Sequence, residues 1–178
     1  ELDEALIPYD AQSTYQKGIY EGENHLRDDE LEKFLISIRQ KIGIDGSVLI
    51  TFDACHSGTA NRIEEYVEDD DAPIRGTNVI FSSNPFYIAP GNKHIERKTK
   101  LAQQNGLSPI CIISACQPFQ RNFETKVGNS YYGTLSYSLY KVLKEVNQWN
   151  RIYYPKIWEQ AKSFSSKQIP MIESSYAL

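Results

Sequence analysis

Cys55 lies in the run Thr51-Phe52-Asp53-Ala54-Cys55-His56-Ser57-Gly58-Thr59, directly after the apolar stretch Ser47–Phe52. A thiol carries chemistry once it ionises, because the thiolate is the nucleophile. Just past a strand, its side chain is presented at the carboxyl edge of a sheet, where open α/β sheets bind ligands. The Cys55 backbone N–H there can face a developing oxyanion. Ser57-Gly58 supplies a tight turn with room for a substrate. The other reading is a packed structural cysteine, which free thiols often are. Asp53 precedes Cys55 by two, so strand alternation turns both to one side. A carboxylate there suits a cationic side chain, best a bidentate arginine. Alternatively, Asp53 caps the turn after the strand.

A thiol nucleophile needs a base, usually histidine. The chain has three: His25, His56 and His94. His56 is adjacent to Cys55, and successive strand side chains diverge. It reads as structural or as a hydrogen-bond partner. His25 and His94 fall in polar loops and read as solvated. The other cysteines, Cys111 and Cys116, form no CxxC pair, which argues against zinc. Three cysteines in 178 residues make no disulfide framework and fit a reducing, cytoplasmic setting.

The elements that must position these groups follow from pattern. Asp28-Asp29-Glu30 opens a helix, its acidic first turn suited to the helix dipole, with Asp28 or Asp29 as caps. Leu31, Phe34, Leu35, Ile38 and Ile42 then recur at helical spacing and predict a buried face ending at Gly43. Ser47–Phe52, Asn78–Phe81 and Pro109–Ser114 are short apolar or β-branched runs, read as strands buried on both faces. Alternation of strand and helix predicts an α/β protein with a parallel sheet. Residues 64–71 form an acidic loop, 84–95 a second loop, 96–105 a helix and 117–130 a polar loop. Tyr132–Val146 is amphipathic, Pro155 suits the first turn of a last helix running to about Ser163, and Ile169–Ile172 is a last strand.

Composition excludes some classes. Hydrophobic residues make up 40 % and charged residues 24 %, with a net charge of −4, so no basic face marks a nucleic-acid binder. No apolar run approaches the ~20 residues of a membrane span. No Gly-rich phosphate loop follows any strand, which weakens a reading as an unrelated doubly wound binding domain.

Asp53-Ala54-Cys55-His56-Ser57-Gly58 resembles the signature around the catalytic cysteine of metacaspases, in the caspase-like cysteine proteases. Five further segments resemble that family in the same order: Asp3–Asp10, Asp28–Leu31, Ile113–Gln117, Tyr132–Ser136 and Gln168–Pro170. Only the first is specific alone. The resemblance implies a caspase-like three-layer α/β/α sandwich with a mostly parallel central sheet. Residues 1–178 would be the C-terminal two-thirds of one peptidase domain, its first strands missing from this chain.

It also implies a cysteine endopeptidase with a Cys–His dyad, Cys55 being the nucleophile. The family histidine lies in a His-Gly pair before the segment matching Asp3–Asp10, and so upstream of Glu1. Its carrier would be an upstream part of the chain or a separate N-terminal fragment held as a partner. The alternative is a catalytically inactive regulatory or scaffold module. The family aspartate matching Asp53 belongs to the S1 pocket, which implies peptide substrates cleaved after Arg or Lys. No cofactor is needed for the chemistry, but calcium is the family's usual activator. Asp28 and Asp29 match its ligand positions, and Asp3 is a candidate third. Asn61-Arg62 departs from the family's next carboxylate, for which the acidic run 64–71 is a substitute or merely a solvated loop. Lys93, Arg97, Lys98 and Lys100 are candidate self-processing positions, or ordinary exposed residues.

Overall fold

The computed structural model describes residues 5–54, 72–77, 80–84, 86–87, 106–117, 120–145, 159, 162–163 and 168–175. Cys55, His56, the acidic run 64–71, His94, the four basic candidates and Asp3 lie outside the described residues, as does helix 96–105.

The chain has mixed α/β structure. Nine elements are described: β1 (Ala5–Leu6), β2 (Leu26–Arg27), α1 (Asp28–Ile42), β3 (Val48–Phe52), β4 (Ile110–Ser114), β5 (Glu124–Val127), β6 (Ser130–Gly133), α2 (Thr134–Glu145) and β7 (Met171–Ser174). The main sheet has the order β3-β4-β7. β3 and β4 run parallel, with Val48 opposite Ile110 and Phe52 opposite Ser114. β7 is antiparallel to β4. It is displaced two residues from the predicted Ile169–Ile172 strand, because Gln168 and Ile169 bond instead to the segment 120–123.

β4 is the central strand, and its Ile110, Cys111, Ile112 and Ile113 are buried. α2 packs on the sheet through Leu135 and Val142. With Cys111, Ile113 and Ala115 they form the core, flanked by Leu49, Leu139 and Ile172. Burying Leu135 fully stabilises the fold by about 2–3 kcal/mol. The amphipathic reading of this helix therefore holds, but it starts at Thr134. Tyr131 and Tyr132 belong to β6, in a hairpin with β5 where a polar loop was expected. Gly128 at φ +61° closes the two-residue turn Gly128-Asn129.

Two expectations need correction. β3 is only partly buried, with Thr51 exposed, because among the described residues β4 alone pairs with it. The apolar stripe of α1 is also open: Phe34 is 61 % exposed, Ile38 45 % and Ile42 43 %. The helix docks instead through Arg39, 3 % exposed, whose Nε donates to Ser108 O at 2.7 Å. Its N-terminus is closed by Glu30, whose Oε2 accepts from Arg27 N at 3.3 Å. Hydrogen bonding to Arg27 holds the Glu30 carboxyl below the usual carboxylate range. Asp28 takes a capping part, accepting from Asp29 N at 2.9 Å.

The expected strand 78–81 is not seen at Ile80 and Phe81, and residues 78–79 lie outside the described set. Phe81 anchors an aromatic cluster with Tyr15, Tyr20, Tyr87 and His25. His25 sits 4.5 Å from Phe81 between ring centroids, and its Nε2 is 2.8 Å from Gln12 O. It is therefore a packing residue of this loop rather than simply a solvated one.

Candidate functional site

The parallel pairing brings the carboxyl ends of β3 and β4 side by side. Ala115 N donates to Phe52 O at 2.9 Å, so the chains leave the sheet still paired. Asp53-Ala54 then leads toward Cys55, and Ala115-Cys116 toward the 120s. The end of the sheet carries a polar network built from residues far apart in sequence.

Asp53 is partly buried, and both its carboxylate oxygens accept a hydrogen bond. Asn122 Nδ2 donates to Oδ1 at 2.9 Å. Ser136 N, in the first turn of α2, donates to Oδ2 at 2.8 Å. The carboxylate thus fills one of the unpaired N–H positions of that helix, where the dipole favours negative charge. Gly133 must stay small here, since a Cβ would collide with the Asp53 carboxylate. The requirement is close approach: its Cβ would also stand 3.0 Å from Arg75 Cδ.

Asn122 is fully buried, and its Oδ1 accepts from Gln168 Nε2 at 2.9 Å. Gln168, also buried, donates to Ala115 O at 3.0 Å and accepts from Phe123 N at 2.7 Å. Gln120 joins the same end, its Oε1 accepting from Ile169 N at 2.9 Å. Every buried polar group named here is satisfied, which low local polarity demands.

Arg75 approaches from the other side. Its Nε donates to Asp53 O at 2.8 Å, and its Nη1 pairs with Glu124 Oε1 at 3.0 Å. Its backbone is extended, with Arg75 N donating to Asn122 O and Glu124 N to Pro73 O, both at 2.8 Å. Ile74 and Phe123 form an antiparallel bridge between these bonds.

A buried carboxylate without partners calls for a cationic ligand. That premise does not apply, because two N–H groups of the chain already satisfy it. Asp53 caps as the alternative reading had it, but the cap is on α2, not on the turn after β3. The cation beside Asp53 meets its backbone carbonyl, and the carboxylate partner of that cation is Glu124.

Cys111 and Cys116 are buried, and neither is in a disulfide. Burial pushes the Cys111 thiol up from its ordinary value, away from nucleophile behaviour. Cys116 Sγ donates to Gln120 O at 3.6 Å. Asp28 and Asp29 stand at the start of α1. Among the described residues, no group of three or more His, Cys, Asp or Glu side chains comes together to hold a metal. No helix among the described residues is long and apolar enough to cross a membrane.

Asn122, Arg75 and Glu124 escaped the sequence reading. The runs holding them look like polar loop, and only the partner found across the fold gives each a role. Comparison with family models, with curated proteins and with solved structures returned no match.

Proposed function

We propose that the protein carrying this chain is a metacaspase-like cysteine endopeptidase, cleaving peptide bonds after Arg or Lys with Cys55 as nucleophile. The observation that carries this is convergence. Four of the six family-like segments meet in one hydrogen-bond network: Asp53 from the cysteine run, Ala115 from Ile113–Gln117, Ser136 from Tyr132–Ser136, and Gln168 from Gln168–Pro170. Asn122 links them. A set of loosely matching segments has no reason to share a site unless the site is what they have in common.

In this proposal the Cys55 thiolate attacks the scissile carbonyl, and its backbone N–H faces the oxyanion. A histidine from an upstream segment takes the thiol proton and returns it to the leaving amine. The architecture is the caspase-like α/β/α sandwich, with further strands on the free side of β3. The edge of β3 that is unpaired among the described residues and the exposed stripe Phe34, Ile38 and Ile42 favour such a covering layer. Calcium activation through Asp28, Asp29 and Asp3 belongs to the same proposal.

The test is hydrolysis of fluorogenic peptides ending in Arg, Lys or Asp by the full-length protein, with and without calcium. Arg and Lys peptides are expected to be cleaved and the Asp peptide to be spared. Preference for Asp would refute the basic specificity. Absence of all turnover would favour a catalytically inactive regulatory or scaffold module.

A further inference from the structure

We infer that Ala72–Gly76 sits in the seat of a substrate peptide, with Arg75 in the place of the residue before the cut, and that Glu124 is the carboxylate that selects it. The inference rests on the protease proposal for what the seat is used for. The geometry stands independently.

Three observations carry it. First, the segment is held by its main chain. It adds antiparallel to Asn122-Phe123-Glu124 with Arg75 N on Asn122 O, Glu124 N on Pro73 O and Ile74 opposite Phe123. Peptides bind sheet edges in this way, with the backbone giving affinity and alternate side chains giving selectivity. Pro73 fits the pattern, since it offers only its carbonyl there. Second, the side chain that reaches the end of β3 is an arginine. Its Nε meets the carbonyl of Asp53, two residues before Cys55 in sequence, at 2.8 Å, and its Nη1 meets Glu124 Oε1 at 3.0 Å. Third, the hold is modest. The Arg75 side chain is 39 % exposed, and a half-exposed ion pair with a few hydrogen bonds is readily exchanged for an equivalent set.

Two consequences follow. The resident strand and a substrate exclude each other, so Ala72–Gly76 acts as a built-in competitor. Selection for a basic residue comes from Glu124 and the Asp53 carbonyl. The Asp53 carboxylate acts as a positioning group, tied by Asn122 and Ser136 N.

The experiment measures binding without turnover, on full-length protein carrying Cys55→Ala. The probe is a fluorescein-labelled Ala-Pro-Ile-Arg amide, followed by anisotropy. Adding Arg75→Ala is expected to tighten binding about tenfold or more, because the competent state no longer has to be freed first. Adding Glu124→Gln to that background is expected to remove most of the gain. An Ala-Pro-Ile-Asp probe is expected to bind at least about tenfold more weakly than the Arg probe. Equal affinity with and without Arg75, equal binding of Arg and Asp probes, or no binding to any variant would overturn the inference.

Hydrogen exchange on protein with Arg75 and Glu124 intact guards against a misfolded variant. Saturating peptide must speed exchange at the Arg75 amide, and unchanged exchange with peptide bound overturns displacement. Failure of the protease proposal looks different: peptide competes as expected, yet no peptide is ever cleaved.

Discussion

Cys55→Ala is expected to lower kcat/KM for Arg- and Lys-terminated peptides by at least about 10³-fold, to the background rate. Removing a covalent nucleophile removes the acyl-enzyme route itself, and neighbouring groups do not replace it. The chain's two other thiols are poor substitutes. Cys111 is 1 % exposed in the middle of β4, with its thiol pushed up by burial. Cys116 is 4 % exposed and directed at Gln120 O. Cys111→Ala and Cys116→Ala are therefore expected to retain turnover in the same assay. Loss of activity in either, with Cys55→Ala still active, would move the nucleophile elsewhere.

Asn122→Ala is expected to destabilise the fold by about 2–4 kcal/mol, measured by urea unfolding. Asn122 is fully buried and serves two partners at once, giving its amide N–H to Asp53 and its carbonyl to Gln168. Truncation leaves a carboxylate oxygen without its donor and a buried amide without its acceptor. Each such orphan costs about 1–3 kcal/mol, the charged one more. Asn122→Asp separates electrostatics from packing. It keeps the shape but sets a second carboxylate against Asp53, so it is expected to be worse than alanine at neutral pH. Its stability should recover as one of the two carboxylates is protonated. An asparagine that tolerated alanine within about 0.5 kcal/mol would show the network to be incidental.

Much of the framework was legible in the sequence because local pattern decides it. The runs at 48–52 and 110–114 are strands, and Asp28–Ile42 is a helix with its acidic first turn. α2 buries Leu135 and Val142 as its period requires. What escaped were properties that depend on neighbours. A parallel-strand pattern at Val48–Phe52 says that both faces and both edges suit burial, but a single neighbour among the described residues leaves it half open. The stripe Phe34, Ile38, Ile42 likewise names a face without naming its cover. The β5–β6 hairpin had a cue in Gly128-Asn129 between alternating residues, obscured by the charged and polar residues around it.

The site divides in the same way. Asp53 stood out because it neighbours Cys55 in sequence, and the structure places it at the hub of the network. Its expected partner was a ligand's cation, whereas its carboxylate partners are Asn122 and Ser136 N, 69 and 83 residues away. Hydrogen bonds across such separations leave no local pattern. Arg75 and Glu124, 49 residues apart, pair only because Ile74 is laid against Phe123.

The most direct measurement is covalent labelling of the full-length protein with an arginyl chloromethyl ketone, followed by peptide mass spectrometry. A thiolate displaces the chloride and forms a thioether, so the reagent reports the nucleophile and the specificity together. The expected result is a single adduct on Cys55, slowed by an Arg-terminated peptide, with the aspartyl reagent much slower. An adduct on Cys111 or Cys116 in place of Cys55, or equal labelling by the aspartyl reagent, would contradict the account.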